Sequence, residues 1–205
     1  MNFDAGQCLL AKADDRAFDD CLAIRAFDQA GFDQWFKAAP PSSRAWAERH
    51  HFRPQRGAVL MLPGGEDFAP VILVGLGENG SLDGPDPWGW ALVAECLPPG
   101  CYAISGDMPP QAQMMAGLGW ALTQYRYDPY LGDQPDRPLK QLVLSDSGAR
   151  IAAIRDAKAI ALVRDLVNAP ANDMLPSDLE HVARDLAKSW SADINVICGE
   201  ALLAQ

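Results

Sequence analysis

Apolar residues in the first 150 positions fall in short runs, broken by proline, glycine and acidic residues. Cys8–Ala11, Cys21–Phe27, Ala58–Leu62, Pro70–Val74, Cys101–Ser105 and Gln141–Leu144 each read as a strand bounded by turn formers. Pro63-Gly64-Gly65-Glu66 lies between two of these runs and predicts a hairpin turn. Other stretches carry helical patterns. Phe32 to His50 predicts two short helices split at Pro40-Pro41, with Ser42 or Ser43 capping the second and Trp35, Phe36 and Trp46 as core anchors. Pro87–Cys96 predicts a helix with proline at its start. Gln111–Gln124 predicts another, in which Gly117 and Gly119 permit close packing and Met114, Met115, Leu118 and Leu122 face the core. Tyr125–Pro138, aromatic and proline-rich, reads as a loop. Strands alternating with helices, plus one hairpin, predict a layered α/β domain with a mixed sheet.

The pattern changes at residue 151. Ile151–Val167 has neither glycine nor proline and predicts a long helix, which Asn168 caps and Pro170 stops. Asn172 and Asp173 suit a turn, and Pro176 precedes a new helix. Ser177 with Glu180 reads as a capping box. Leu179, Val182, Ala183, Leu186, Ala187 and Trp190 then form one apolar face. Asp193–Cys198 reads as a strand, and Glu200–Leu203 as the start of a helix. A lone helix and strand cannot bury their own faces. The expected organisation is therefore an α/β domain over 1–150, a linker helix and joint over 151–176, and the opening of an incomplete second domain over 177–205.

Charge narrows the function classes. The formal net charge is −10 at pH 7, which argues against nucleic-acid binding, because a phosphate backbone rewards Lys and Arg. No apolar stretch is long enough to cross a bilayer, and no cationic start leads into an apolar run. The five cysteines (Cys8, Cys21, Cys96, Cys101 and Cys198) are odd in number and never in C-x-x-C spacing, so a reduced, cytoplasmic protein is expected.

Candidate chemistry is sparse. Gly75, Gly77 and Gly80 spell G-x-G-x-x-G after a strand, the pattern of a dinucleotide loop. That loop needs its third glycine to open a helix, yet Ser81–Pro87 intervenes with two prolines, and Asp107 lies too far downstream for the usual ribose acid. A tight strand exit is the expected reading. Asp14, Asp15, Asp19 and Asp20 form an acidic cluster without defined coordination geometry and read as solvated loop acids. His50 and His51 are adjacent and cannot face one metal from a helix. His181 stands alone on its helix as a surface residue, and Ser145-Asp146-Ser147 reads as a helix entry. There is no H-E-x-x-H, no G-x-S-x-G and no Walker A motif.

The segment RDLVNAPANDMLPSDL, Arg164 to Leu179, resembles the entry to the catalytic domain in the leucyl (cytosol) aminopeptidase family. Asn168, Pro170, Asn172 and Pro176 meet that family's Asn-x-Pro-x-Asn-x-x-x-Pro pattern. AGLGWALTQYRYDPY, Ala116 to Tyr130, is similar to the family's glycine-containing helix, with Tyr127 where the family has Phe, and VILVGLG, Val71 to Gly77, matches more weakly. The resemblance implies a macro-domain-like three-layer α/β/α sandwich. It also implies a peptide-cleaving enzyme with two divalent metals (manganese or zinc), a catalytic Lys and Arg, and a hexameric assembly. The family's glycine-rich and Asn-Thr-Asp-Ala-Glu-Gly-Arg catalytic segments do not occur here, so no catalytic or metal-binding residue can be carried onto this chain. Two functions follow as expectations. The first is the N-terminal, non-catalytic part of a metallo-aminopeptidase, inactive alone and scaffolding in role. The second is a stand-alone module binding ADP-ribose or a nucleotide near Gly75–Gly80.

Overall fold

The computed structural model describes residues 3–11, 21–65, 69–77, 86–132 and 138–204. Its strands are β1 (Leu9–Ala11), β2 (Leu22–Phe27), β3 (Val59–Leu62), β4 (Val71–Gly75), β5 (Gly100–Ile104) and β6 (Lys140–Leu144). They form one sheet in the order β1-β6-β5-β2-β4-β3. Every neighbouring pair is parallel except β3 and β4, the expected hairpin, where Val59 lies opposite Val74 and Leu62 opposite Val71. Parallel strands are covered on both faces, which is why β4 reads as an unbroken apolar run. Ile72, Leu73 and Val74 are all fully buried.

The helices are α1 (Ala5–Cys8), α2 (Gln29–Ala38), α3 (Pro41–Arg49), α4 (Pro87–Cys96), α5 (Pro110–Gln124), α6 (Ser147–Asn168) and α7 (Pro176–Ser189), followed by a 3-10 turn, Gly199–Ala204. Side chains alternate across the sheet, so consecutive strand residues enter different cores. Ile72 and Val74 join Trp90, Trp120, Leu118, Tyr102 and Leu142 in the larger core, which holds α4, α5 and the first half of α6. Leu73 and Phe27 face the other side and pack with Phe32, Ala47 and Phe52, with Trp35, Phe36 and Trp46 against them from α2 and α3. This is the mixed sheet that the sequence pattern predicts, in the three-layer sandwich that the resemblance implies.

Close packing explains two helical glycines. A Cβ on Gly119 would stand 1.9 Å from the Pro87 carbonyl oxygen, and one on Gly117 would stand 2.8 Å from Leu144. The Trp120 indole donates to the Lys140 carbonyl at 2.8 Å and ties α5 to the start of β6.

Several boundaries differ from the sequence expectation. α1 was not anticipated; Asp4 caps it by accepting from the Gly6 amide. α3 begins at Pro41, with neither Ser42 nor Ser43 as its cap, because proline's fixed φ starts a helix without a side-chain acceptor. α6 begins at Ser147 rather than Ile151, since the Asp146 carboxylate accepts from the Ala149 amide at 2.6 Å. In α7 the reciprocal cap lies two residues earlier than expected. Pro176 takes the first helical position, and the Leu175 amide donates to Asp178 at 2.9 Å. Glu180 instead pairs with Arg184 one turn on, at 2.7 Å. Asp193–Cys198 forms no strand. A strand needs a neighbour to take its backbone hydrogen bonds, and these residues have none in the sheet.

The chain divides into two compact units, Met1–Ala161 and Leu162–Gln205. The first contains the whole sheet and every buried residue of both cores. In the second, α7 buries no residue: Leu179 is 53% exposed, Leu186 41% and Trp190 71%.

Candidate functional site

The C-terminal ends of parallel strands are where open α/β sheets bind ligands. Here that edge collects Asp28 after β2, Gly75–Gly77 at the end of β4, Ser105–Met108 after β5 and Ser145-Asp146 after β6. Asp28 is spent on helix α2, accepting from the Gly31 amide at 2.7 Å. Ser105 donates its hydroxyl to the Ile24 carbonyl at 2.9 Å. Gln113, buried, organises the rest. Its amide nitrogen donates to the Met108 carbonyl at 2.8 Å, and its oxygen accepts from the Ser145 amide, the Ser145 hydroxyl and the Asp146 amide, each at 3.0 Å. Among the described residues no buried side-chain polar atom lacks a partner. The edge is thus wired to itself.

The glycines of the candidate nucleotide loop have a local reason. A Cβ on Gly75 would meet the Gln55 carbonyl oxygen at 2.2 Å and Pro54 at 2.4 Å; one on Gly77 would meet Arg56 at 3.1 Å. The Gly77 amide donates to the Pro54 carbonyl at 2.9 Å, and the Gly57 amide to the Gly75 carbonyl at 3.0 Å. The backbone before β3 therefore runs directly over the exit of β4, in the space a pyrophosphate would need beside these glycines. Gly77 also has φ +83°, which suits glycine. Gly80, the third of the set, lies outside the described residues.

Arg56, on that same crossing segment, forms a two-pronged ion pair with Asp86, one contact at 2.7 Å. The guanidinium's hydrogen bonds hold the Asp86 carboxyl below its ordinary range. Asp86 also accepts from the Trp88 amide at 3.1 Å and so caps α4. The pair fastens the crossing segment to the start of that helix.

The other candidates do not converge. Asp14, Asp15, Asp19 and Asp20 lie outside the described residues. Asp107 is exposed. His50 and His51 are exposed, and His50 lies tilted against Trp46 with ring centroids 4.7 Å apart. His181 is exposed on α7 and its Nδ1 donates to the Ser177 carbonyl at 2.7 Å. Among the described residues no three of His, Cys, Asp and Glu gather as a metal site. The described residues thus supply no donor set for the two divalent metals, which the resemblance assigns to catalytic segments that do not occur in this sequence. The joint residues occupy turn positions: Asn168 ends α6, Pro170 accepts from the Asp173 amide at 2.8 Å, Asn172 is exposed in the same turn, and Pro176 opens α7.

One feature corrects the cysteine expectation. Cys21 and Cys101 are joined in a disulfide across 80 residues of sequence, leaving Cys8, Cys96 and Cys198 as free thiols. Only the pairing of β2 with β5, Leu22 opposite Tyr102, brings the two together, and spacing alone carries no sign of that. Burial raises the Cys8 thiol to about 11, with the Asp4 carboxylate adding to the rise.

Comparison with known proteins gives a consistent family signal. A family model described as M17 aminopeptidase, N-terminal domain, matches residues 22–145. Two curated relatives, each called a probable cytosol aminopeptidase, come from Rhizobium johnstonii (29% identical over 159 residues, 68% of this chain and 32% of the relative) and Methylorubrum populi (30% over 170 residues, 74% and 33%). The chain thus spans about a third of the length of these relatives. Among solved structures, a cytosol aminopeptidase from Coxiella burnetii superposes with a TM-score of 0.76 at 21% identity, over 97% of this chain and 41% of that one. The bottromycin maturation enzyme BotP, solved in complex with Mn, gives 0.67 at 24% identity over 89% and 39%. At these identities the structural likeness bears on the fold.

Proposed function

This chain belongs to the M17 aminopeptidase family, through that family's N-terminal domain, and from that premise we propose that it is the non-catalytic N-terminal part of a two-metal aminopeptidase. The observation that carries the reading is the family match over residues 22–145. In this reading peptide hydrolysis belongs to polypeptide matching the remaining two thirds of the relatives. Two divalent metals there, manganese or zinc, supply an activated water. In this reading the chain takes no step of the reaction. Its work is scaffolding, contact between subunits of a cytoplasmic homo-oligomer and restriction of access to the peptide-cleaving site.

One feature supports this division of labour. The exposed apolar face of α7, with Leu179, Leu186 and Trp190, is the kind of face that further polypeptide covers. The same face is where the family-signature joint, Asn168 to Pro176, delivers the chain. A nucleotide- or ADP-ribose-binding role is not favoured, because the chain's own backbone fills the space beside Gly75 and Gly77.

Calorimetric titration tests the reading. Manganese, zinc and ADP-ribose are each expected to give no stoichiometric binding at micromolar concentrations. Two equivalents of manganese bound in that range would overturn the non-catalytic assignment. Micromolar ADP-ribose binding, abolished in Gly77→Val, would favour the binding-module reading instead.

A further inference from the structure

The register of β2 and β5 places Leu22 opposite Tyr102, Ala23 opposite Ala103 and Ile24 opposite Ile104. One step back, Cys21 and Cys101 meet as the next pair, with Cα atoms 4.6 Å apart, inside the range a disulfide requires. The bond lies at the N-terminal edge of the two strands, opposite the edge that carries Gly75 and Gln113. Both cysteines are half-buried rather than sealed in the core, so a small thiol can reach them. The curated relatives are called cytosol aminopeptidases. In thiol-rich compartments an intramolecular disulfide is characteristically one that forms and breaks.

We propose that Cys21 and Cys101 form a reversible redox staple across the centre of the sheet, exchanged with low-molecular-weight thiols and disulfides of the glutathione type. In the reducing direction a thiolate attacks one cysteine sulfur, forms a mixed disulfide and releases the other cysteine as a thiolate. A second small thiolate then attacks the small-molecule sulfur of the mixed disulfide and displaces the remaining protein cysteine, giving two protein thiols and one small-molecule disulfide, a two-electron exchange whose two protons come from the two small thiols. Oxidation runs the same steps backwards.

The staple acts on stability rather than on the fold. β2 and β5 stay paired through Leu22–Ile24 and Tyr102–Ile104, β2 also pairs with β4, and the Tyr102 hydroxyl donates to the Pro98 carbonyl at 2.6 Å. The reduced sheet therefore persists. What reduction restores is the freedom of an unfolded loop 80 residues long, carrying β2, α2, α3, β3, β4 and α4. The switch thus controls how readily the first compact unit opens.

The 205-residue chain is equilibrated in glutathione buffers of graded reduced-to-oxidised ratio, acid-quenched, denatured and alkylated, and its thiols are counted by mass. The expected result is three alkylated cysteines (Cys8, Cys96 and Cys198) at the oxidising end and five at the reducing end, with the crossover inside the glutathione range. The thermal midpoint should drop by about 10 °C between the two ends. In Cys21→Ala/Cys101→Val the midpoint is expected not to respond to the buffer. Five reactive thiols at every ratio, three at every ratio, or an unchanged wild-type midpoint would each overturn the proposal. So would a double variant that keeps the full redox response. If that variant fails to fold, the wild-type thiol count and midpoint still decide the matter.

Discussion

At the scale of single residues, this chain uses glycine for proximity. Gly75 faces backbone atoms of Pro54 and Gln55, which cannot rotate away as a side-chain tip could. Gly75→Ala is therefore expected to destabilise the first unit by about 3 kcal/mol, the upper range for forced overpacking. Gly132, at φ +68° with nothing within 4 Å, is the contrast: Gly132→Ala meets only backbone strain and should cost about 1 kcal/mol. Urea denaturation of the two variants checks the ranking, and equal losses would contradict the packing account. Titration gives a second residue-scale expectation. Burial raises both the Cys8 thiol, from 9.0 to about 11, and the Tyr102 phenol. Each holds its proton more tightly when folded than when unfolded. Their contribution is complete below the unfolded value and is lost as pH climbs through the folded one. Stability should fall between about pH 9 and 11, and Cys8→Ala with Tyr102→Phe should flatten that limb in pH-dependent unfolding curves.

At the scale of elements, the first unit holds its helices and strands by shared burial, whereas α7 stands on local interactions. Its Arg184–Glu180 pair, the Asp178 cap and the His181 contact all lie within the helix itself. Such interactions are worth tenths of a kcal/mol each, and a helix of this length is marginal without packing. Hydrogen exchange should show α7 amides exchanging at least a hundredfold faster than those of α5, which is buried along most of its length. Comparable protection would mean that α7 is anchored. The same contrast explains what the sequence made legible. Strands β1 to β6 and helices α2 to α6 could be read because their patterns agree with a core that the same residues build. Asp193–Cys198 has a strand's composition but no pairing partner in the sheet, so a strand was expected where none forms. Caps at Pro41 and Pro176 were misplaced because proline's fixed φ starts a helix without a side-chain acceptor. The Cys21–Cys101 bond was out of reach, since it depends on strand order rather than on local spacing.

At the scale of the whole molecule, the chain divides into an α/β sandwich and a second unit, and the described residues of both cores lie in the first. The helix end at Asn168, the turn at Pro170–Asp173 and the helix start at Pro176 were legible because proline and asparagine act there through local backbone geometry. Of the candidate chemistry, G-x-G-x-x-G was legible as a motif but not in purpose, because Pro54–Arg56, well upstream in the chain, crosses Gly75 and Gly77. The match to the family's N-terminal domain motivates the central proposal, that peptide hydrolysis is not this chain's own work. The most direct measurement is hydrolysis of leucine amide by the purified chain in saturating manganese or zinc, set against a mock purification. The account predicts no turnover above the mock. Turnover that scales with protein concentration, is lost on chelation and returns with added metal would contradict it.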